Sequence, residues 1–152
     1  MKAPIYSTIL RYTLYLVFIF GLFMAITLPF MIDTYTEMVH GTTELAPEYR
    51  AFIVPFLLAI AIPCLWVVAE MIFMLNSIPT GPFVRRNTKA LKRVGILFLA
   101  LSTAFFVKCF FFLTFLTIFC GFLFVGAGLF AFTLSSLIEQ SIVLKEENEL
   151  TI

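Results

Sequence analysis

The feature that most constrains this chain is a run of 45 residues, 94–138, that carries a single charge, Lys108. A helix rises about 1.5 Å per residue and bilayer hydrocarbon is about 30 Å thick, so about 20 apolar residues cross it. The run is therefore too long for one membrane helix. It predicts two helices joined by a tight hairpin near residues 110–115, with Lys108 snorkelling to the outer surface.

Two further apolar runs precede it, Tyr12 to Ile32 and Ala51 to Leu75. With 62% hydrophobic and 12% charged residues in 152, the chain is unlike a soluble domain, which carries about 25% charged residues. The polar segments are each too short for a core of their own. The first run has a positive start but no small-x-small cleavage site, so it reads as an uncleaved span. The expected fold is an all-α integral membrane bundle of four transmembrane helices in a single domain, 1–152. The spans are about 12–32, 51–75, 89–110 and 114–139. Between and after them lie an acidic outer loop 33–50, a basic cytoplasmic loop 76–93 and a polar tail 140–152. Pro63, in mid-span, predicts a kink in the second helix.

Orientation follows from the placement of the cations. Lys2, Arg11, Arg85, Arg86, Lys89, Lys92, Arg93 and Lys145 fall on one side of this plan, against Arg50 and Lys108 on the other. The excess of positive charge stays inside, which puts both termini and the basic loop in the cytoplasm.

No Ser/His/Asp set, glycine-rich phosphate loop or Cys/His metal signature occurs, which argues against an enzyme, a cofactor or a metal. His40 with Glu37 and Glu44 has ligand-like spacing, but Gly41, Thr42 and Thr43 break the helix that spacing needs. Glu70, Glu139 and Lys108 are ionisable residues in or beside apolar helices, and such residues are functional candidates by default. Intramembrane ion pairs that tie Glu70 and Glu139 to Arg85, Arg86 or Lys89 are the structural reading. Gly121, Gly128 and Ser135 recur at seven-residue steps, with Ala127 and Ala131 nearby. Close packing inside the molecule and a homodimer seam are both open for these small residues. The three cysteines, Cys64, Cys109 and Cys120, lie in apolar runs and give no paired framework.

Two stretches carry a resemblance. Residues 82–95, PFVRRNTKALKRVG, are similar to a Pro-Phe-Val-x-x-Asn-x-x-x-Leu-x-x-Ile-Gly pattern, with Val94 where the pattern has Ile. The end, LKEENELTI at 144–152, is similar to a terminal acidic-Asn-Glu-Leu-Thr-Ile signature. Both belong to a bacterial four-span membrane family catalogued as domain of unknown function 2975, and the likeness covers essentially the whole chain. The family has no established activity to carry over. The resemblance implies a non-enzymatic, regulatory role in a bacterial cell membrane, because members are often encoded beside a small helix-turn-helix regulator. Such a partner would meet the cytoplasmic face at Arg85, Arg86, Asn87, Lys89 and Leu91 in the loop and at Glu146, Glu147, Asn148 and Glu149 in the tail. Alternatively, Asn87 caps a helix and the tail acids pair with Arg85, Arg86, Lys89 or Lys92. Anionic lipid rather than nucleic acid is the other expected contact of the basic loop. Protection against membrane-active peptides, drawn by the acidic loop, and a small carrier or channel using Glu70 or Lys108 are the rival functions. Homo-oligomerisation is left open.

Overall fold

A computed structural model describes residues 5–40, 47–77 and 85–150. They form four helices, α1 (Ile5–His40), α2 (Pro47–Ser77), α3 (Arg85–Phe111) and α4 (Phe115–Leu150). Each contains a segment long and apolar enough to cross a membrane. The segments take helical form because hydrocarbon offers backbone groups no partner outside the chain. α1 runs on through Pro29, and α2 through Pro55 and Pro63.

Helix extends further than the sequence suggests. Part of the expected outer loop continues α1 to His40, and α2 starts at Pro47. The expected polar tail is no separate segment, since α4 carries on through it to Leu150. The basic segment is helical from Arg85, in keeping with Pro82 as a residue suited to a helix's first turn. The side chains of Glu37, His40 and Glu44, weighed above as metal ligands, lie outside the described residues.

Neighbouring helices run antiparallel. Arg11 meets Asn76 and Gly21 meets Leu65 across α1 and α2; Glu70 meets Arg93 and Phe56 meets Phe105 across α2 and α3. The start of α1, the end of α2, the start of α3 and the end of α4 therefore share one end of the molecule. Most cations lie there, and we call it the basic end. Packing follows chain order: among the described residues, no Cα of α1 comes within 8 Å of α3 or α4, and none of α2 within 8 Å of α4. The expected bundle is thus a series of antiparallel neighbours. It draws together at the basic end, where Leu10 of α1 and Ile138 of α4 line one cavity.

The α3–α4 hairpin is the tightest pairing. Phe112 N–H donates to the Lys108 carbonyl at 2.8 Å, closing α3, and the Thr114 carbonyl accepts from Thr117 and Ile118 to open α4. Thr114 immediately precedes α4, where threonine is a favoured cap. Along the seam, residues step by seven on both helices. Ser102 Oγ donates to the Gly121 carbonyl at 2.9 Å, Gly95 faces Gly128, and Ser135 Oγ donates to the Thr88 carbonyl at 3.0 Å. A Cβ on Gly95 would lie 3.2 Å from the Gly128 carbonyl oxygen, and one on Gly128 would lie 3.2 Å from the Gly95 carbonyl oxygen. Only hydrogen at both positions allows this approach. The small-residue stripe of α4 is therefore covered by α3 of the same chain.

The phenylalanines join α2 to this hairpin. Phe52 lies 5.3 Å from both Phe111 and Phe112, Phe56 packs edge-on to Phe105, and Phe105 stacks on Phe124. Each such pair contributes about 0.5–1.5 kcal/mol beyond the area it buries. This ring ladder holds the far end together, and polar contacts hold the basic end.

Candidate functional site

Charge and hydrogen bonding concentrate at the basic end, so the candidate site is assembled there. Glu70, near the end of α2, is buried, its side chain 8% exposed. A carboxylate there needs close partners, because hydrocarbon and packed side chains solvate it poorly. Arg93 supplies them as a fork: Nε donates to Oε1 at 2.6 Å and the second guanidinium nitrogen to Oε2 at 2.8 Å. Trp66, one turn earlier on α2, adds a longer bond from Nε1 at 3.3 Å. The partner is not Arg85, Arg86 or Lys89, as the sequence suggested. Antiparallel pairing of α2 and α3 sets Glu70 about one turn deeper along α3 than Lys89 and about two turns deeper than Arg85 and Arg86. The signal for Arg93 was its position as the cation adjoining the apolar part of α3.

Two further ion pairs bridge α3 and α4 at the surface. Lys92 Nζ lies 2.9 Å from Glu139 Oε2, and Arg85 lies 3.1 Å from Glu146 Oε2. Both pairs are at least half exposed on each side, so each contributes about 0–1 kcal/mol. Glu147, Asn148 and Glu149 are exposed on the last turns of α4, as are Arg86 and Lys89 on α3.

Asn87 and Leu91 are placed differently from the sequence expectation. Both are buried, at 7% and 9% exposure, and line an open cleft that Leu10 of α1, the end of α2 and Ile138 of α4 also border. Asn87 sits within α3 rather than at its cap, and its Oδ1 is 2.6 Å from Ser77 Oγ, which also reaches the Met74 carbonyl at 2.7 Å. A hydroxyl has one proton, so Ser77 donates to one of these two acceptors at a time. The contact ties the two ends of the α2–α3 connection. Lys108 is not in an ion pair: among the described residues no carboxylate is within reach. Its Nζ donates to Thr117 Oγ1 at 3.1 Å and lies 5.8 Å from the centre of the Phe56 ring. It is half-buried and stitches the hairpin, in the last turn of α3 where a cation suits the helix dipole.

Thr88 was missed by the sequence reading. It is 4% exposed, and its Oγ1 has no hydrogen-bond partner among the described residues. Cys64, Cys109 and Cys120 are free thiols.

Comparison with known proteins gives one match. Searches of curated proteins and of solved structures find none. A family profile described as "Protein of unknown function (DUF2975)" matches residues 37–152. The match takes in α2, α3 and α4 with both motifs quoted above, and leaves out nearly all of α1. It covers well over half of the chain, which with its four membrane-type helices therefore belongs to the DUF2975 family of multi-pass membrane proteins.

Proposed function

We propose that this chain is a non-enzymatic regulatory protein of a bacterial cell membrane, with its basic end in the cytoplasm, that docks a small DNA-binding regulator on the last turns of α4. The orientation rests on the excess of Lys and Arg at that end. The observation that carries the reading is the length of α4. Its 36 residues span about 54 Å, against about 30 Å of hydrocarbon. Ser135, bonded to the start of α3, is already about 30 Å from Phe115 along the helix. Residues beyond it stand clear of the hydrocarbon as a helical post.

The post is acidic, with Glu139, Glu146, Glu147 and Glu149 against Lys145 alone in 139–149. Its polar links to α3 include two exposed ion pairs, weak enough for a partner's cations to replace. DNA-binding surfaces are basic, so the post is complementary to the face with which a helix-turn-helix protein would hold DNA. Occupation of the post would compete with DNA. Commitment of the buried carboxylate Glu70 to Arg93 and Trp66 supports a role without proton chemistry.

The test is crosslinked co-purification from native membranes, comparing the intact chain with a Glu146→Gln, Glu147→Gln, Glu149→Gln variant at equal abundance. A DNA-binding regulator recovered with the intact chain, lost with the variant and displaced by its operator DNA supports the reading. Recovery that is equal for both chains, or absent for both, rejects it.

A further inference from the structure

We infer that the chain binds a phosphate group in the crevice between the first turns of α3 and the outer part of α4. The crevice has a volume of about 270 Å³ and is lined by Arg85, Thr88, Lys89 and Lys92 of α3, facing Glu139 and Ile142 of α4. Its polar lining therefore holds three cations and one carboxylate. Lys92 is taken by Glu139 at 2.9 Å, and Arg85 reaches out to Glu146 at 3.1 Å. Lys89 has no carboxylate within ion-pair distance among the described residues.

Thr88 points to a ligand independently of charge. A buried hydroxyl without a partner is rare in a native structure and calls for a physical reason. The Thr88 carbonyl is already used by Ser135, so only Oγ1 is left over, and it belongs to a residue that lines the crevice. An anion seated there would accept from the Lys89 ammonium and the Arg85 guanidinium, and from the Thr88 hydroxyl once that buried side chain turns toward it. Four residues open α3 up to Thr88, at the positive end of the helix dipole, which favours the same charge.

Depth identifies the anion. Thr88 lies 23 residues before Phe111 and Glu139 lies 24 residues after Phe115, about 35 and 36 Å along the two helices. Both distances exceed about 30 Å of hydrocarbon but fall within the 40–45 Å or so that includes the headgroups. At that level phosphate is the abundant anion, and its several acceptor oxygens match donors on three side chains. The group belongs either to an anionic phospholipid or to a soluble phosphate compound. It would compete with Glu146 for Arg85 and so loosen the post. The site itself does not depend on a soluble protein partner.

The test uses the full chain in nanodiscs, with Thr88→Val and Lys89→Gln as probes. Lys145→Gln serves as control, an exposed cation at the same end outside the crevice. Phosphatidylglycerol retention is read by native mass spectrometry, and binding of inorganic phosphate in phosphatidylcholine discs by phosphorus NMR. We expect the intact chain and the control to bind one of these ligands. The probes should weaken it about tenfold, the effect of one hydrogen bond to a charged group. Loss of phosphatidylglycerol identifies a lipid headgroup, and loss of inorganic phosphate a soluble ligand. If neither ligand binds, or if both probes match the control, the inference falls. Lys89 is exposed, so Lys89→Gln decides the question even where Thr88→Val perturbs folding.

Discussion

Replacing the members of the Glu70–Arg93 pair separately and together tests whether burial, more than charge count, governs this fold. Removing one partner of a fully buried pair costs about 3–5 kcal/mol, whereas a fully exposed pair contributes about 0–1 kcal/mol. The Glu70 side chain is 8% exposed and that of Arg93 50%, so the two halves should respond unequally. Arg93→Leu strands a buried carboxylate with only the Trp66 bond left, and should destabilise by about 2–3 kcal/mol, between those limits. Glu70→Leu frees a guanidinium that can turn to water, and should cost only about 1 kcal/mol. The double variant removes both charges and should lie within about 1 kcal/mol of the intact chain. Trp66 is the single tryptophan and touches Glu70 directly, so its fluorescence reports unfolding at this site in mixed detergent micelles. The four chains close a double-mutant cycle. If the double variant loses the sum of the single losses, or Arg93→Leu behaves like Lys92→Leu at the exposed pair, the pair is not coupled as described.

Three other outcomes can be checked in the same unfolding assay, with a surface pair as their reference. Gly95→Ala places a methyl 3.2 Å from the Gly128 carbonyl oxygen and 3.0 Å from the Phe132 ring; because backbone cannot yield as a side chain can, we expect a loss of about 1–3 kcal/mol. Gly126→Ala, on the same helix as Gly128 but with nothing within 4 Å of the added methyl, should be neutral or stabilise by up to about 1 kcal/mol. Asn87→Ala removes the buried link to Ser77 and should cost about 1–3 kcal/mol, with earlier proteolysis of the α2–α3 connection as a second readout. As the reference, Glu146→Gln breaks a pair exposed by 73% and 53% on its two sides, and should change stability by no more than about 0.5 kcal/mol.

How much of this was legible depended on whether a property belongs to one helix or to two. Membrane character is local: residues 94–138 with a single lysine cannot be one helix, and the hairpin at 112–114 is the relief. The stripe Gly121, Gly128, Ser135 was also legible as a packing face. Its counterpart Ser102, Gly95, Thr88 was not recognised, because a serine and a threonine in an apolar run carry no mark of what they face. Choosing Arg93 rather than Arg85 for Glu70 required the register of α2 against α3. That register is fixed far away by Phe52 on Phe111 and Phe56 on Phe105, and twenty phenylalanines offer too many pairings to read from order alone. Asn87 and Leu91 stood out as motif positions in a basic segment, which says nothing of the direction each side chain takes. Helical spacing instead turns them inward while Arg86 and Lys89 face out.

The same division between local and pairwise properties separates α1 from the rest. Among its described side chains only Leu14 is buried, and its polar ties to α2 include the long contacts of Arg11 and Tyr15 to Asn76, each 3.4 Å. Gly21 lets α1 approach Leu65, but α1 reaches neither α3 nor α4 within 8 Å. Its exposed apolar side chains call for apolar surroundings rather than for particular partners. The α2–α4 portion is different: Glu70 needs a fork at one depth, Gly95 needs a small residue opposite, and Ser102 and Ser135 each need a carbonyl directly across the seam. Such requirements restrict sequence, and the family match begins at residue 37, where α1 is ending. The physical boundary between a helix that buries little and three that pack on one another thus falls close to where the family match begins.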